Sequence, residues 1–454
     1  MYGVEHKFLA ILFSGLVLFL AMGIKRVAGT YLIPCGIFAL SWFAFTILPL
    51  VILFEVPINS LAIFYIFVST LMFCLSALPF NWRLALKKNN TKSLELAKFD
   101  SNFLKVSLYI SAAGSIILSL LTMVLNGFSI NQVIFDLILT SGQYAATRGT
   151  EGVEYGIVGV LSLMFTYLCP VIGGLRMFAP RKKWFFLLSM APSMFTMVVQ
   201  SSKLVFLISL FFYLSSAIVA KIYACQFNLP KLSGLPKFII SAAIVAPLIL
   251  ISFISRIGEF DPNNFGNVIE PLAFAINSYT LGQLYAFSDF FSYTIGDASN
   301  SPFKDDYYSL GAYTFASIFD MLGVGKDFPP GMYDESGSYL EIFQTNIFTF
   351  FRGLIYDFGI LGSLLFMFVF GLICHFVAYK VFIRNNAWFS VAILIALLVF
   401  IFMGYLFSVF VARYMFLNII VVGILLNINT LQSQGARFNV NYPNPERSSK
   451  AVKN

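Results

Sequence analysis

The sequence predicts an all-α, polytopic integral membrane protein, on three observations. First, 59% of its 454 residues are hydrophobic and only 11% charged, with a mean hydropathy of +0.84, whereas a soluble domain is about a quarter charged. Second, apolar runs suited to the bilayer core, which needs about 20 residues in helix, recur along the whole chain. Third, basic residues crowd alternate loops between those runs.

The runs lie at 8–24, 31–54, 60–80, 103–125, 157–177, 184–200, 203–220, 238–255, 357–378, 387–407 and 409–428. That is about 11 spans, within a range of 10–12. The first has no small-residue cleavage site, so it is expected to insert as a span rather than be removed. It ends at Lys25 and Arg26. The second and third lead to a loop with Arg83, Lys87, Lys88, Lys92 and Lys98. The fifth is followed by Arg176, Arg181, Lys182 and Lys183. The sixth and seventh are short, and Gln200-Ser201-Ser202-Lys203 joins them in a tight hairpin. Lys221, Lys231 and Lys237 precede the eighth, Lys380 and Arg384 follow the ninth, and Arg437, Arg447, Lys450 and Lys453 follow the last. All these clusters fall on one side, which the positive-inside rule makes cytoplasmic. The N-terminus then faces out and the C-terminus in. The net charge of +8 is mostly this topology signal, and no basic patch in a soluble module points to nucleic acid.

Residues 1–428 form a single transmembrane domain with two long outer loops, about 126–156 and 256–356, and 429–454 reads as a disordered cytoplasmic tail. In the first loop, Ser129-x-x-Gln132 has the form of a capping box. It precedes Val133, Ile134, Leu137 and Ile138 on one face, as in an interfacial helix. In the second, Pro271–Tyr293 is apolar enough to mimic a span. A span there would place Lys380 and Arg384 outside, so it is assigned outside the bilayer, among short helices. Five cysteines and two histidines show no C-x-x-C or Cys/His grouping, so no metal, cofactor or disulfide framework is expected.

Chemistry is sought where cations are not needed for topology. Arg148, Lys203, Arg256, Arg352 and Arg413 lie on the outer side, near membrane edges or in hairpin turns. Guanidinium offers paired N–H donors to oxyanions, which suits a phosphate or pyrophosphate at headgroup depth. The competing reading is pairing with lipid headgroups or with the many outer acids. Among those acids Glu341 and Asp357 are candidates to activate or orient a hydroxyl. Asp357 sits five residues after Arg352, and its structural alternative is a salt bridge to that arginine. Asp357-Phe358-Gly359 spells a kinase metal-binding tripeptide, but no Gly-rich or catalytic loop accompanies it. His375, near the inner end of its span, reads as a packing residue.

The stretch Asn346-Ile347-Phe348-Thr349-Phe350-Phe351-Arg352 … Tyr356-Asp357-Phe358-Gly359-Ile360-Leu361-Gly362 resembles the segment that closes the large outer loop in bacterial O-antigen polymerases, the repeat-unit polymerases of lipopolysaccharide and capsule synthesis. Ser278-Tyr279 … Leu284-Tyr285-Ala286-Phe287-Ser288 is similar to that family's aromatic loop helix, with Arg256 as the preceding arginine. Arg148 and Gly159 fit a spacing of ten intervening residues seen in such proteins. The fifteen-residue counterpart fails at Arg256, where Leu272 stands in place of glycine. Lys203 occupies a turn that more often holds glycine and arginine in the family.

This resemblance implies a C-type glycosyltransferase fold in the inner (plasma) membrane. It implies an undecaprenyl-pyrophosphate-linked oligosaccharide as substrate, no cofactor, and a flippase and chain-length regulator as partners. The implied reaction transfers a glycan from one lipid pyrophosphate to a hydroxyl of another repeat unit. Arg256, Arg352 and Asp357 would be catalytic, and Arg148, Lys203, Arg413, Glu341 and Tyr356 would bind substrate. Two other classes fit less well: a lipid-linked oligosaccharide flippase, which has shorter loops, and an O-antigen ligase, which places a histidine in the large outer loop.

Overall fold

The computed structural model describes residues 2–89, 99–150, 156–179, 182–228, 266–296, 303, 309–324, 332–383 and 388–441. Its helices are α1 (Val4–Ala28), α2 (Pro34–Ile52), α3 (Ser60–Leu75), α4 (Trp82–Asn89), α5 (Asn102–Leu125), α6 (Ile130–Phe135), α7 (Leu137–Thr150), α8 (Gly156–Leu175), α9 (Lys182–Val199), α10 (Lys203–Tyr223), α11 (Gly266–Thr280), α12 (Gly282–Thr294), α13 (Ala316–Met321), α14 (Phe350–Phe382), α15 (Trp388–Met403) and α16 (Arg413–Asn441).

Seven of the described helices are long and apolar enough to cross a membrane: α1, α2, α5, α8, α10, α14 and the first twenty residues of α16. Three shorter apolar helices, Ser60–Leu75, Trp184–Val199 and Trp388–Met403, stand beside them. All ten fall on expected spans, and the chain is a helical, multi-pass membrane protein. The remaining expected span, 238–255, lies outside the described residues.

Local chemistry sets the helix ends. Gly29 closes α1 in the left-handed conformation (φ 85°), its N–H returning to the Lys25 carbonyl, with Lys25 and Arg26 in the last turn. Both features complement the free carbonyls of a helix C-terminus. Pro34 opens α2 at a position where its missing N–H costs nothing. Asn59 and Ser101 cap α3 and α5 through their side chains. The capping box between Ser129 and Gln132 is formed in both directions. The Gln200–Lys203 turn is also as expected, with Ser201 at φ 48°.

The segment 266–294 folds as two consecutive helices. Of these, α12 is buried on nearly every face, which accounts for an apolar sequence outside the predicted spans. Asn59 donates its backbone N–H to Ser288 (2.8 Å) and its side-chain amide to Ser292 (2.9 Å). Lys7, in the second turn of α1, is buried here. Its ammonium donates to the carbonyls of Leu53 (2.9 Å) and Val56 (2.7 Å) and to the Tyr285 hydroxyl (2.8 Å). It thereby ties α1 and the end of α2 to α12. His375 is also buried, between Ser76 (3.0 Å) and the N–H of Cys35 (3.2 Å).

The structure departs from expectation in three places. The large loop holds an antiparallel hairpin, β1 (Met332–Tyr339) and β2 (Phe343–Ile347), beside its short helices. Asp334-Glu335-Ser336-Gly337-Ser338 has weak strand propensity, and its turn lacks the Asn-Gly signal of tight hairpins, so pattern reading passes over it. Residues 442–454 of the expected tail lie outside the described residues, and α16 continues past the expected end of the last span at 428, to Asn441. No proline interrupts it before Pro443, and propagation of an existing helix is favourable. Finally, α14 begins at Phe350, seven residues before the predicted span, and is interrupted at Gly359 (φ 69°, ψ 177°).

Candidate functional site

The site is built around the N-terminus of α14. Thr349 precedes the helix in extended conformation and makes no side-chain cap bond. The N–H of Phe350 is instead taken by the carbonyl of Gly404 (2.9 Å). This fixes the helix start against the segment linking α15 to α16.

Arg352 lies in the first turn, where the helix dipole disfavours a cation, and is only 1% exposed. Its Nη2 donates to Glu335 Oε2 (3.1 Å) and to the Tyr356 hydroxyl (3.2 Å). Five rings surround the guanidinium carbon: Tyr333 at 3.6 Å, Phe348 at 4.1 Å, Phe290 and Phe303 at 5.1 Å and Tyr356 at 5.3 Å. A desolvated cation–ring contact is worth about 2 kcal/mol. The faces of the cation are therefore satisfied and its edges are not: Nε and Nη1 have no hydrogen-bond partner among the described residues. Buried donors in that condition are uncommon and call for a reason.

Next to this ring cage lies a small cleft of about 10 Å³. Its walls include Tyr313, Tyr333, Phe348, Thr349, Gly353 and Ser408. Tyr333 and Phe348 are shared with the arginine cage. Thr349 Oγ1 is buried in that wall and also lacks a partner.

Asp357 does not pair with Arg352. It is fully buried, and both oxygens are occupied. Oδ1 accepts from Ser309 Oγ (2.5 Å) and Tyr313 N–H (2.9 Å). Oδ2 accepts from Thr314 N–H (2.8 Å) and Oγ1 (2.5 Å). The carboxylate thus holds segment 309–314, one wall of the cleft, against α14. In this chain Asp-Phe-Gly is a pin followed by a helix break.

Of the other sequence candidates, Tyr356 alone contacts Arg352 among the described residues. Tyr356 is buried, stacked on Tyr313 at 5.1 Å. Lys203 opens α10 and lies over the Tyr279 ring at 5.3 Å. Arg413 opens α16, mostly exposed, and pairs with Asp320 at 3.5 Å. Glu341 is exposed in the hairpin turn. Arg148 falls in α7 with its side chain outside the described set, and Arg256 lies outside the described residues. The ion pair and ring contacts of Arg352 involve neither Lys203 nor Arg413.

Sequence reading missed Glu335 as the arginine's partner, and missed Tyr333 and Thr349. Thr349 lay within the recognised stretch, and Glu335 was one outer acid among many. The hairpin also joins the site to α12: Tyr339 donates to Asp289 Oδ2 at 2.7 Å. Burial raises the Asp289 carboxyl above its ordinary range, and the tyrosine bond offsets part of this. Burial likewise pushes up the phenols of Tyr333 and Tyr339.

Comparison with family models, with curated proteins and with solved structures finds no match to this chain. The first turn of one helix thus carries a buried guanidinium with two unpartnered nitrogens among the described residues, donors suited to an oxyanion.

Proposed function

We propose that the chain is a glycosyltransferase of the bacterial inner membrane that polymerises oligosaccharide repeat units carried on undecaprenyl pyrophosphate, working on the outer face. The observation that supports this reading is Arg352: a buried cation at a helix start, with two nitrogens unpartnered among the described residues and two of its caging rings, Tyr333 and Phe348, lining a small cleft.

In the reaction, a hydroxyl of one lipid-linked unit attacks the anomeric carbon of another. The new glycosidic C–O bond forms as the bond to pyrophosphate breaks, and the bonding pair leaves with the diphosphate. The hydroxyl proton passes to a base. A cation fixed beside the leaving oxygens stabilises the charge that grows there, and one such donor is typically worth about 10²–10³ in rate. Arg352 takes that role, with Arg256, Arg148, Lys203 and Arg413 as the further cations expected to meet the substrate. Asp357 holds the cleft wall in place. Its oxygens are all engaged, which leaves Glu341, exposed in the hairpin turn, as the carboxylate better able to meet an acceptor.

The test is glycan gel analysis of a deletion strain. Loss of the long-chain ladder, with accumulation of lipid carriers bearing single repeat units on the outer leaflet, is expected. Complementation with Arg352→Ala should fail to restore the ladder. A normal ladder with Arg352→Ala would reject the assignment, and retention of the units on the inner leaflet would identify a flippase.

A further inference from the structure

We propose that Glu335 is a specificity-determining residue: its carboxylate holds the place of a substrate phosphate on Arg352, so that the site admits a diphosphate and turns away ligands of lower charge. This rests on the reading of Arg352 as the phosphate-binding group.

The argument begins with the guanidinium. Its two forked faces pair Nη2 with either Nη1 or Nε, so Nη2 belongs to both. Each of the two hydrogens on Nη2 has an acceptor, Glu335 Oε2 and the Tyr356 hydroxyl. A two-pronged grip on a phosphate therefore requires one of them to leave. Tyr356 sits within α14, stacked on Tyr313 and against Phe290 at 5.0 Å. Glu335 is the movable partner. Its side chain is 14% exposed, and it lies between Met332 and Gly337, where the pairing of β1 with β2 loses register. Such irregularities free a strand locally and re-aim its side chains.

Charge then sets the selection. A ligand with a single charge replaces one anion by another and gains little. A diphosphate brings more charge than the carboxylate it displaces, and more oxygens to meet the unpartnered Nη1 and Nε. Tyr333, on the same strand as Glu335 and 3.6 Å from the guanidinium carbon, keeps water from the cation during the exchange.

The experiment is calorimetric titration of the full-length protein in nanodiscs with inorganic pyrophosphate and with inorganic phosphate. The wild type is expected to favour pyrophosphate. Glu335→Gln keeps the size and one acceptor oxygen but removes the charge. It should tighten both ligands, phosphate more, so that the preference shrinks about tenfold. Glu335→Asp keeps the charge but shortens the reach, and should shift the preference the same way by less. Unchanged preferences in both variants, with binding still lost in Arg352→Lys, would overturn the role of Glu335 alone. Pyrophosphate binding that survives Arg352→Lys undiminished would overturn the reading of Arg352 itself, and this proposal with it.

Discussion

Thr314 holds Asp357 twice at one oxygen: its N–H (2.8 Å) and its hydroxyl (2.5 Å) both reach Oδ2. With Ser309 and the N–H of Tyr313 on Oδ1, the carboxylate closes a loop onto a helix. Asp357→Asn places an amide N–H₂ against backbone N–H donors. Hydrogen bonds to a charged acceptor are worth about 1.5–3 kcal/mol each, and a buried unpaired donor costs about 1–3. The variant is expected to lose about 2–3 kcal/mol of stability, read as a lower unfolding temperature in detergent. Ser309→Ala removes one of these bonds and should lose about 1.5 kcal/mol, the lower end of the range for a charged acceptor. An unaltered unfolding temperature in Asp357→Asn would show that the pin is unimportant.

Arg352→Lys keeps a cation within the ring cage but removes the fork. Polymer formation should fall about 10²–10³-fold, while the unfolding temperature moves little. The ladder on a glycan gel and a melting curve of the same preparation separate the two effects. Arg352→Met should lose the same activity and additionally strand Glu335.

Gly359 stands at φ 69°, ψ 177°, a region essentially closed to residues with a Cβ. Gly359→Ala should cost about 1–3 kcal/mol and drive the two halves of α14 towards one straight rod. Reduced yield of folded protein and a lowered melting point are the expected readouts.

The proton balance at Asp289 gives a pH dependence. Its carboxyl is raised by burial, the larger effect, and only partly lowered by the hydrogen bond from Tyr339. The folded state therefore binds this proton more tightly than the unfolded chain. Stability is unaffected below the ordinary carboxylate range, falls as pH climbs from there through the raised value, and stays at its lower level above it. Melting temperatures across mildly acidic pH should show this decline. Asp289→Asn should flatten it, and Tyr339→Phe should deepen it by removing the bond that favours the charged form.

Much of the helical frame was legible because it depends on local sequence. Ten apolar runs and the capping box of Ser129 and Gln132 are written in hydropathy and spacing, and the helices follow them. Arg352 and Tyr356 were named together only through the resembling stretch; their contact depends on the helix starting at Phe350, ahead of the expected span, which puts them one turn apart. What could not be read is long-range pairing. Nothing near Arg352 in sequence singles out Glu335, seventeen residues away, from the other acids of the same loop. Asp357 looked like the natural partner because it was near, but its bonds go to Ser309, Tyr313 and Thr314, more than forty residues back. The hairpin was hidden for a related reason: its strands are held by aromatic packing such as Tyr339 on Phe343 at 4.7 Å, not by strand-forming composition.

The bend of that hairpin is made by Leu340 (φ 50°) and Glu341 (φ 58°), two residues that resist left-handed geometry by roughly 1–2 kcal/mol apiece. The fold thus keeps a compressed spring at the tip of the element that covers its buried cation. Replacing Leu340 alone with Asn, which tolerates left-handed geometry, would relax part of that spring, keep Glu341 and leave the cover heavier to lift. Such a variant would give an experimenter a throttle: slower admission of each new ligand, with every group that touches it left untouched.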